Sequence, residues 1–92
     1  MADKPEWTFL SNHGHVLVCL SRDPHSRLRD IAEEVGITER RVAGIVADLE
    51  AGRIVQVKKV GRRNEYTINS KAKLRHTVES AHTVGELIRA LG

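Results

Sequence analysis

Cysteine, aromatic residues and proline are all scarce in this chain of 92 residues: it has one cysteine, two prolines, and only Trp7, Phe9 and Tyr66 as aromatics. A lone cysteine forms no internal disulfide, which excludes a secreted disulfide scaffold. Three aromatics are too few to stack successive bases, which excludes a single-strand binder built on aromatic platforms. The longest apolar run, Val16 to Leu20, is far too short to span a bilayer, and no cleavable signal precedes it. No nucleophile–base arrangement, Gly-rich phosphate loop or supported carboxylate pair is present. The expectation is a cytoplasmic, nucleoid-associated protein with no membrane partner, no catalytic residue and no cofactor.

Hydrophobic residues make up 40% of the chain and charged residues 29%, an ordinary globular balance that argues against disorder. The length is that of one small domain, whose thin core would gain from an oligomer interface. The formal charge is only +3, but it is unevenly spread. Residues 1–52 carry six basic and nine acidic side chains, a net −3. Residues 53–75 carry Arg53, Lys58, Lys59, Arg62, Arg63, Lys71, Lys73 and Arg75 against Glu65 alone, a net +7. Such a stretch is the electrostatic footprint of an anionic partner, or else a solvated strand edge guarded by lysines.

Apolar spacing predicts four helices and a hairpin. Ser11 or Asn12 caps a first helix with Leu10, His13, Val16, Leu17 and Leu20 inward, and Asp23-Pro24 stops it. Ser26 is the expected cap of a second helix carrying Leu28, Ile31, Ala32 and Val35, ended by Gly36. Thr38 caps a third, on which Val42, Ile45, Val46 and Leu49 form an unbroken stripe before Gly52. The alternating segment from Ile54 to Val60, the turn Gly61-Arg62-Arg63-Asn64 and the segment from Glu65 to Asn69 read as a hairpin. Leu74, Val78, Ala81, Val84 or Gly85, Ile88 and Leu91 then predict a fourth helix within residues 71–92.

Two helices joined by a short Gly-containing turn, followed by a basic hairpin, define a mainly α winged helix-turn-helix with a small β-hairpin. Residues 28–49, from Leu-Arg-Asp-Ile-Ala-Glu-Glu-Val-Gly through Ile-Thr-Glu-Arg-Arg-Val-Ala-Gly-Ile-Val-Ala-Asp-Leu, resemble the helix-turn-helix of MarR- and ArsR-type transcription regulators. The hairpin segment from Val60 to Tyr66 extends that resemblance. It implies a DNA-binding domain over residues 8–70, a dimerisation helix over 71–92, and a homodimer that regulates transcription on double-stranded DNA. Twofold regulators read half-sites about one turn apart, so a pseudo-palindromic site is implied.

Placed at 100° per residue, the third helix points Arg40, Ala43, Gly44 and Ala47 outward, with Arg41 and Asp48 on a flank. Arg40 can reach a guanine edge or a phosphate, and the small residues let the backbone approach a groove floor. The resembled regulators often carry longer polar side chains at the positions of Ala43 and Gly44. Thr38 opens a helix N-terminus that favours phosphate, besides its role as a cap. Arg62, Arg63 and Asn64 at the hairpin tip, with Lys58 on the strand and Arg27 beside the expected Ser26 cap, complete the expected DNA-binding set. The same small ridge and basic hairpin also suit a sequence-tolerant DNA-coating or chromatin-organising protein, or a protein-docking winged helix.

His76 with Glu79 and His82 with Glu86 have helical spacing that can chelate, but no cysteine-rich sensor motif accompanies them. No metal site is assigned. Cys19 reads as core, and His13, on the inward face of the first helix, as a satisfied core histidine. The sequence names no effector ligand and no operator.

Overall fold

Ser11 sets where the first helix starts. Its Oγ accepts the Gly14 N–H at 3.4 Å, and α1 runs Asn12–Arg22. In the computed structural model, which describes residues 5–92, this helix is followed by α2 (Leu28–Val35), α3 (Glu39–Ala51), β1 (Val55–Val60), β2 (Arg63–Ile68) and α4 (Val84–Leu91). The five consecutive residues Val16, Leu17, Val18, Cys19 and Leu20 are all buried, because α2, α3 and α4 each pack against α1. No described helix is long and apolar enough to cross a membrane.

The cap of α2 differs from expectation. Arg27, not Ser26, occupies the N-cap, and no side chain caps the helix. Ser26 is engaged one turn earlier: its N–H and Oγ both donate to the Asp23 carbonyl, at 3.1 and 2.8 Å. The Asp23-Pro24 turn has therefore claimed the hydroxyl before the helix begins. Gly36 ends α2 at a φ of 85°, a left-handed conformation that costs a glycine little. Two residues later the Thr38 hydroxyl accepts the Arg41 N–H at 3.0 Å and α3 begins.

Val42, Ile45, Val46 and Leu49 are all buried, as their spacing requires. They meet Val16, Leu20, Ile31, Ile54, Val55 and Tyr66 in one core. Leu20, Ile31, Ile45, Val16, Val42 and Val84 are the largest fully buried side chains. Removing such a residue, as in Ile45→Ala, is expected to cost roughly 2–5 kcal/mol.

The hairpin turn is shorter than predicted. Val60 pairs with Arg63, so only Gly61 and Arg62 form the turn and Arg63 and Asn64 belong to β2. Gly61 has a φ of 63° and Arg62 does not share the positive region, the pattern of a type II′ turn. The register puts Val55, Val57, Tyr66 and Ile68 on the helix side, and that face continues to the tip through Lys59 and Asn64. Lys58 and Glu65 pair on the opposite face. The outer edge of β2 is tied back to the loop before α2, where the Tyr66 N–H donates to the Pro24 carbonyl at 2.9 Å.

The largest departure lies after the hairpin. The helix predicted within residues 71–92 is confined to α4, Val84–Leu91. Ahead of it the chain doubles back: the Leu74 N–H donates to the His82 carbonyl at 3.0 Å, and Lys73 and Thr83 form an isolated bridge. The Val84 and Gly85 N–H groups reach the carbonyls of Ala72 and Ser70, at 2.8 and 2.9 Å. Thr83 then starts a new helix with a full capping box to Glu86. A straight helix would carry Val84 away from the body. Folding back lets Ala72, Leu74, Val84 and Ile88 cover the core, and it leaves Val78 87% exposed.

Candidate nucleic-acid interface

Arg40, Arg41, Ala43, Gly44 and Ala47 are all exposed on the outer side of α3. Gly44 is not demanded by packing, since a Cβ there would meet nothing within 4 Å. Asp48 at the flank is held by His13, whose Nε2 stands 2.8 Å from Oδ2. His13 is therefore not a core residue as expected: its side chain is 38% exposed and bridges the rim of α1 to α3. The second residue of α1 lies too near the helix end to be covered.

A groove opens between the loop before α2 and the hairpin. His25, Ser26 and Arg27 line one wall, and Lys59, Arg62, Arg63 and Asn64 the other. Arg27, Lys59, Arg62 and Arg63 are exposed, and among the described residues none has a carboxylate oxygen within 4.0 Å. Unpaired cations on facing walls create a positive potential that attracts anions. Asn64 is held at this wall by its Nδ2, which donates to the Oη of the buried Tyr66 at 3.3 Å. Thr38, Arg40 and Arg41 stand apart, at the start of α3.

Of the expected set, Lys58 is not brought into the groove. It lies on the opposite face, across from Glu65. Lys59, which was not among the expected residues, takes its place. The signal was available in the strand alternation, and it needed the correct turn length to be read.

The histidine–carboxylate pairs make local bonds. His82 Nδ1 lies 2.7 Å from Glu86 Oε2, while His76 Nδ1 accepts the Val78 N–H at 3.1 Å and Glu79 Oε1 accepts the His76 N–H at 3.3 Å. Among the described residues no three His, Cys, Asp or Glu side chains gather about one point. Cys19 is buried, and its thiol is pushed above the ordinary range by burial first and by the Glu34 carboxylate second. A protonated, covered thiol is chemically inert.

The same order of helices and hairpin occurs in solved transcription regulators. MepR, a transcription regulator of the Staphylococcus aureus multidrug efflux pump MepA, superposes with a TM-score of 0.60 at 19% identity, over 88% of this chain and 53% of that one. The fold is a winged helix-turn-helix. Lactococcus lactis ZitR, a zinc-responsive MarR family member, has the same winged helix, with a TM-score of 0.53 at 17% identity over 72% of this chain and 47% of its own. A point mutant of ZitR gives a TM-score of 0.56, also at 17% identity, over 75% and 49% of the two chains. In sequence, the uncharacterized protein MJ1254 of Methanocaldococcus jannaschii is 28% identical over 68 residues, 73% of this chain and 14% of that protein. The winged helix thus spans about half of each solved regulator and a small part of the curated relative. No protein-family profile matches the chain. In winged-helix terms, α2 and α3 are the helix-turn-helix, α3 stands in the recognition-helix position, and β1 and β2 are the wing.

Proposed function

We propose that this winged helix binds double-stranded DNA and regulates transcription as a homodimer. The observation that carries the reading is the groove between the loop before α2 and the wing, with four cations that have no carboxylate partner among the described residues. Arg27, Lys59, Arg62, Arg63 and Asn64 hold the phosphate backbone or enter an adjacent minor groove, and Lys58 adds charge from the far face of the wing. Thr38 presents the N-terminus of α3 to a phosphate. Arg40 and Arg41 reach base edges or phosphates, while Ala43, Gly44 and Ala47 let α3 approach the major-groove floor. That MepR and ZitR are regulators supports the assignment.

The dimer needs a surface other than one long helix over residues 71–92, because half of that segment is irregular chain and Val84 is spent on the monomer's own core. Trp7, Phe9, Val78 and Leu91 remain exposed and supply apolar area for self-association. The expected division into a DNA-binding part, 8–70, and a self-association part, 71–92, therefore becomes one of function only: Val84 and Ile88 belong to the shared core, while Val78 and Leu91 face outward.

One feature favours a second reading, sequence-tolerant DNA coating. Ala43, Gly44 and Ala47 offer no side-chain hydrogen bond to a base edge, so direct readout falls on few residues. Selection of bound fragments from random duplexes decides. Enrichment of a pseudo-palindrome supports a regulator, equal retention of all sequences supports coating, and no retention overturns DNA binding in favour of protein docking.

A further inference from the structure

Phe9 is 93% exposed and stands at the mouth of a hollow of about 910 Å³, enclosed by the start of α1, the end of α3 and the chain over residues 73–87. Leu17, Leu49, Leu74 and Leu87 give that hollow an apolar floor. Trp7 packs edge-on against Phe9, with ring centroids 5.1 Å apart and planes at 81°, and is itself 69% exposed. The Thr8 hydroxyl donates to the Leu10 carbonyl at 2.6 Å, which braces the short arm that carries both rings. Apolar surface thus stands in water beside a hollow able to take it.

The rim of the hollow carries both signs. Asp48 and Glu79 line it together with Lys73 and Arg75, the last cations of the basic stretch. Among the described residues no ion pair joins these acids to these bases: Asp48 is held by His13, and Glu79 accepts the His76 N–H. The Arg75 guanidinium lies over Gly52, with Nη1 2.8 Å from where a Cβ would stand, which keeps that cation at the end of α3. A twofold interface sets one patch against its own copy, so the patch must complement itself. Here a projecting ring stands beside a hole that fits a ring, and acids stand beside bases. An unrelated partner would have to supply both a knob and a mixed-sign rim, whereas a second copy already has them.

The area suffices as well. Four rings at about 150–250 Å² each, with the walls they cover, reach the roughly 1,000 Å² that a specific interface needs. We infer that the hollow beside Phe9 is the seat of a second copy of this chain, the Trp7–Phe9 pair of each copy filling the hollow of the other across a twofold axis. This rests on the proposed homodimer and names its surface. Thr38, Arg40 and Arg41 lie at the opposite end of α3, about 20 Å away, so pairing through the hollow leaves the first turn of α3 and the cationic groove open to DNA.

The test follows the full chain by sedimentation over a range of concentrations, with the emission of Trp7, its only tryptophan, read in parallel. Wild type is expected to dimerise, and its emission to shift to shorter wavelength with the same midpoint as the ring leaves water. Phe9→Ala, a change at an exposed position that leaves the core untouched, is expected to weaken dimerisation by at least about 30-fold, as loss of a central aromatic anchor does. Asp48→Lys/Glu79→Lys makes the rim basic and Lys73→Glu/Arg75→Glu makes it acidic. Each is expected to be monomeric alone, and the two mixed are expected to pair one to one. Dimerisation of Phe9→Ala as tight as wild type overturns this inference alone and moves the homodimer to another surface. So does a wild-type dimer whose Trp7 emission does not shift, or a reversed pair, each folded by circular dichroism, that fails to associate when mixed. Wild type that stays monomeric at every concentration overturns the homodimer as well. If a reversed variant does not fold, Phe9→Ala and the Trp7 emission carry the test.

Discussion

His25 Nε2 stands 3.1 Å from Glu65 Oε2, joining the loop before α2 to the wing. Together with the Tyr66–Pro24 backbone bond, this contact ties the two walls of the cationic groove to each other. Simple charge counting says that removing Glu65 strengthens binding to a polyanion. The geometry says the opposite for Glu65→Ala, which frees the wing. We expect Glu65→Ala to weaken duplex binding and Glu65→Gln, which keeps an acceptor oxygen, to strengthen it slightly. Stability should fall by less than about 1 kcal/mol in either case, since both partners are partly exposed. Tighter binding by Glu65→Ala in a fluorescence titration would show that the pair does not set the wing.

The register of the hairpin separates two adjacent lysines. Lys59→Ala is expected to make the dependence of log affinity on log salt shallower by roughly 0.9 for each phosphate the ammonium would have neutralised. Lys58→Ala, changed on the far face, should leave the slope nearly as in wild type. Salt titrations of both variants on one duplex check this, and equal slopes would refute it.

Gly44 lies inside α3 with open space where its side chain would be. Gly44→Ala should therefore raise stability by about 1 kcal/mol through helix propensity alone. The same change should weaken duplex binding, because it thickens the ridge that enters the groove. Urea unfolding and a binding titration on the same variant test both halves. A variant that is more stable and binds equally well would place Gly44 away from DNA.

Arg53 is the one non-glycine among the described residues with a positive φ. Arg53→Gly relieves that conformation and should stabilise the fold by about 1 kcal/mol. A lower urea midpoint would mean that the arginine side chain contributes more to stability than its backbone costs.

Acid should loosen α4 first. The Glu86 carboxyl is held below its ordinary value of 4.5 by the hydrogen bond from His82 and then by the Thr83 N–H. Its folded pKa is thus lower than its unfolded one, so its contribution is fully present above 4.5 and is lost as pH falls through the folded value. Amide exchange in α4, followed as pH is lowered, should rise in wild type and change less in Glu86→Gln. Parallel profiles would remove Glu86 as the cause.

The helical half of the fold was legible because each signal there is local. Val42, Ile45, Val46 and Leu49 repeat at helical spacing, Gly36 breaks the chain where a left-handed residue is needed, and Thr38 can do little but cap. The C-terminal stripe misled because Val78 and Ala81 fall at helical spacing by coincidence. What decided residues 69–83 was long-range: the carbonyls of Ser70 and Ala72 receive the first donors of α4. Ser26 lost its expected role to a turn that competes for the same hydroxyl. At the site, residue types were readable and faces were not. A four-residue turn in place of two hid the alignment of Lys59 with Asn64 and left the charged segment looking continuous.

The two-residue turn at Gly61-Arg62 also makes the wing an adjustable ruler. Inserting one residue on each strand lengthens the hairpin by one rung, about 3.3 Å, and moves the tip arginines outward. It also turns them toward the other face, because side chains alternate. Inserting two on each strand restores the original facing and adds about 7 Å of reach. Wing length in such a scaffold can therefore change only in steps of four residues without changing which surface the tip addresses. An insertion of any other size would redirect the wing as well as extend it.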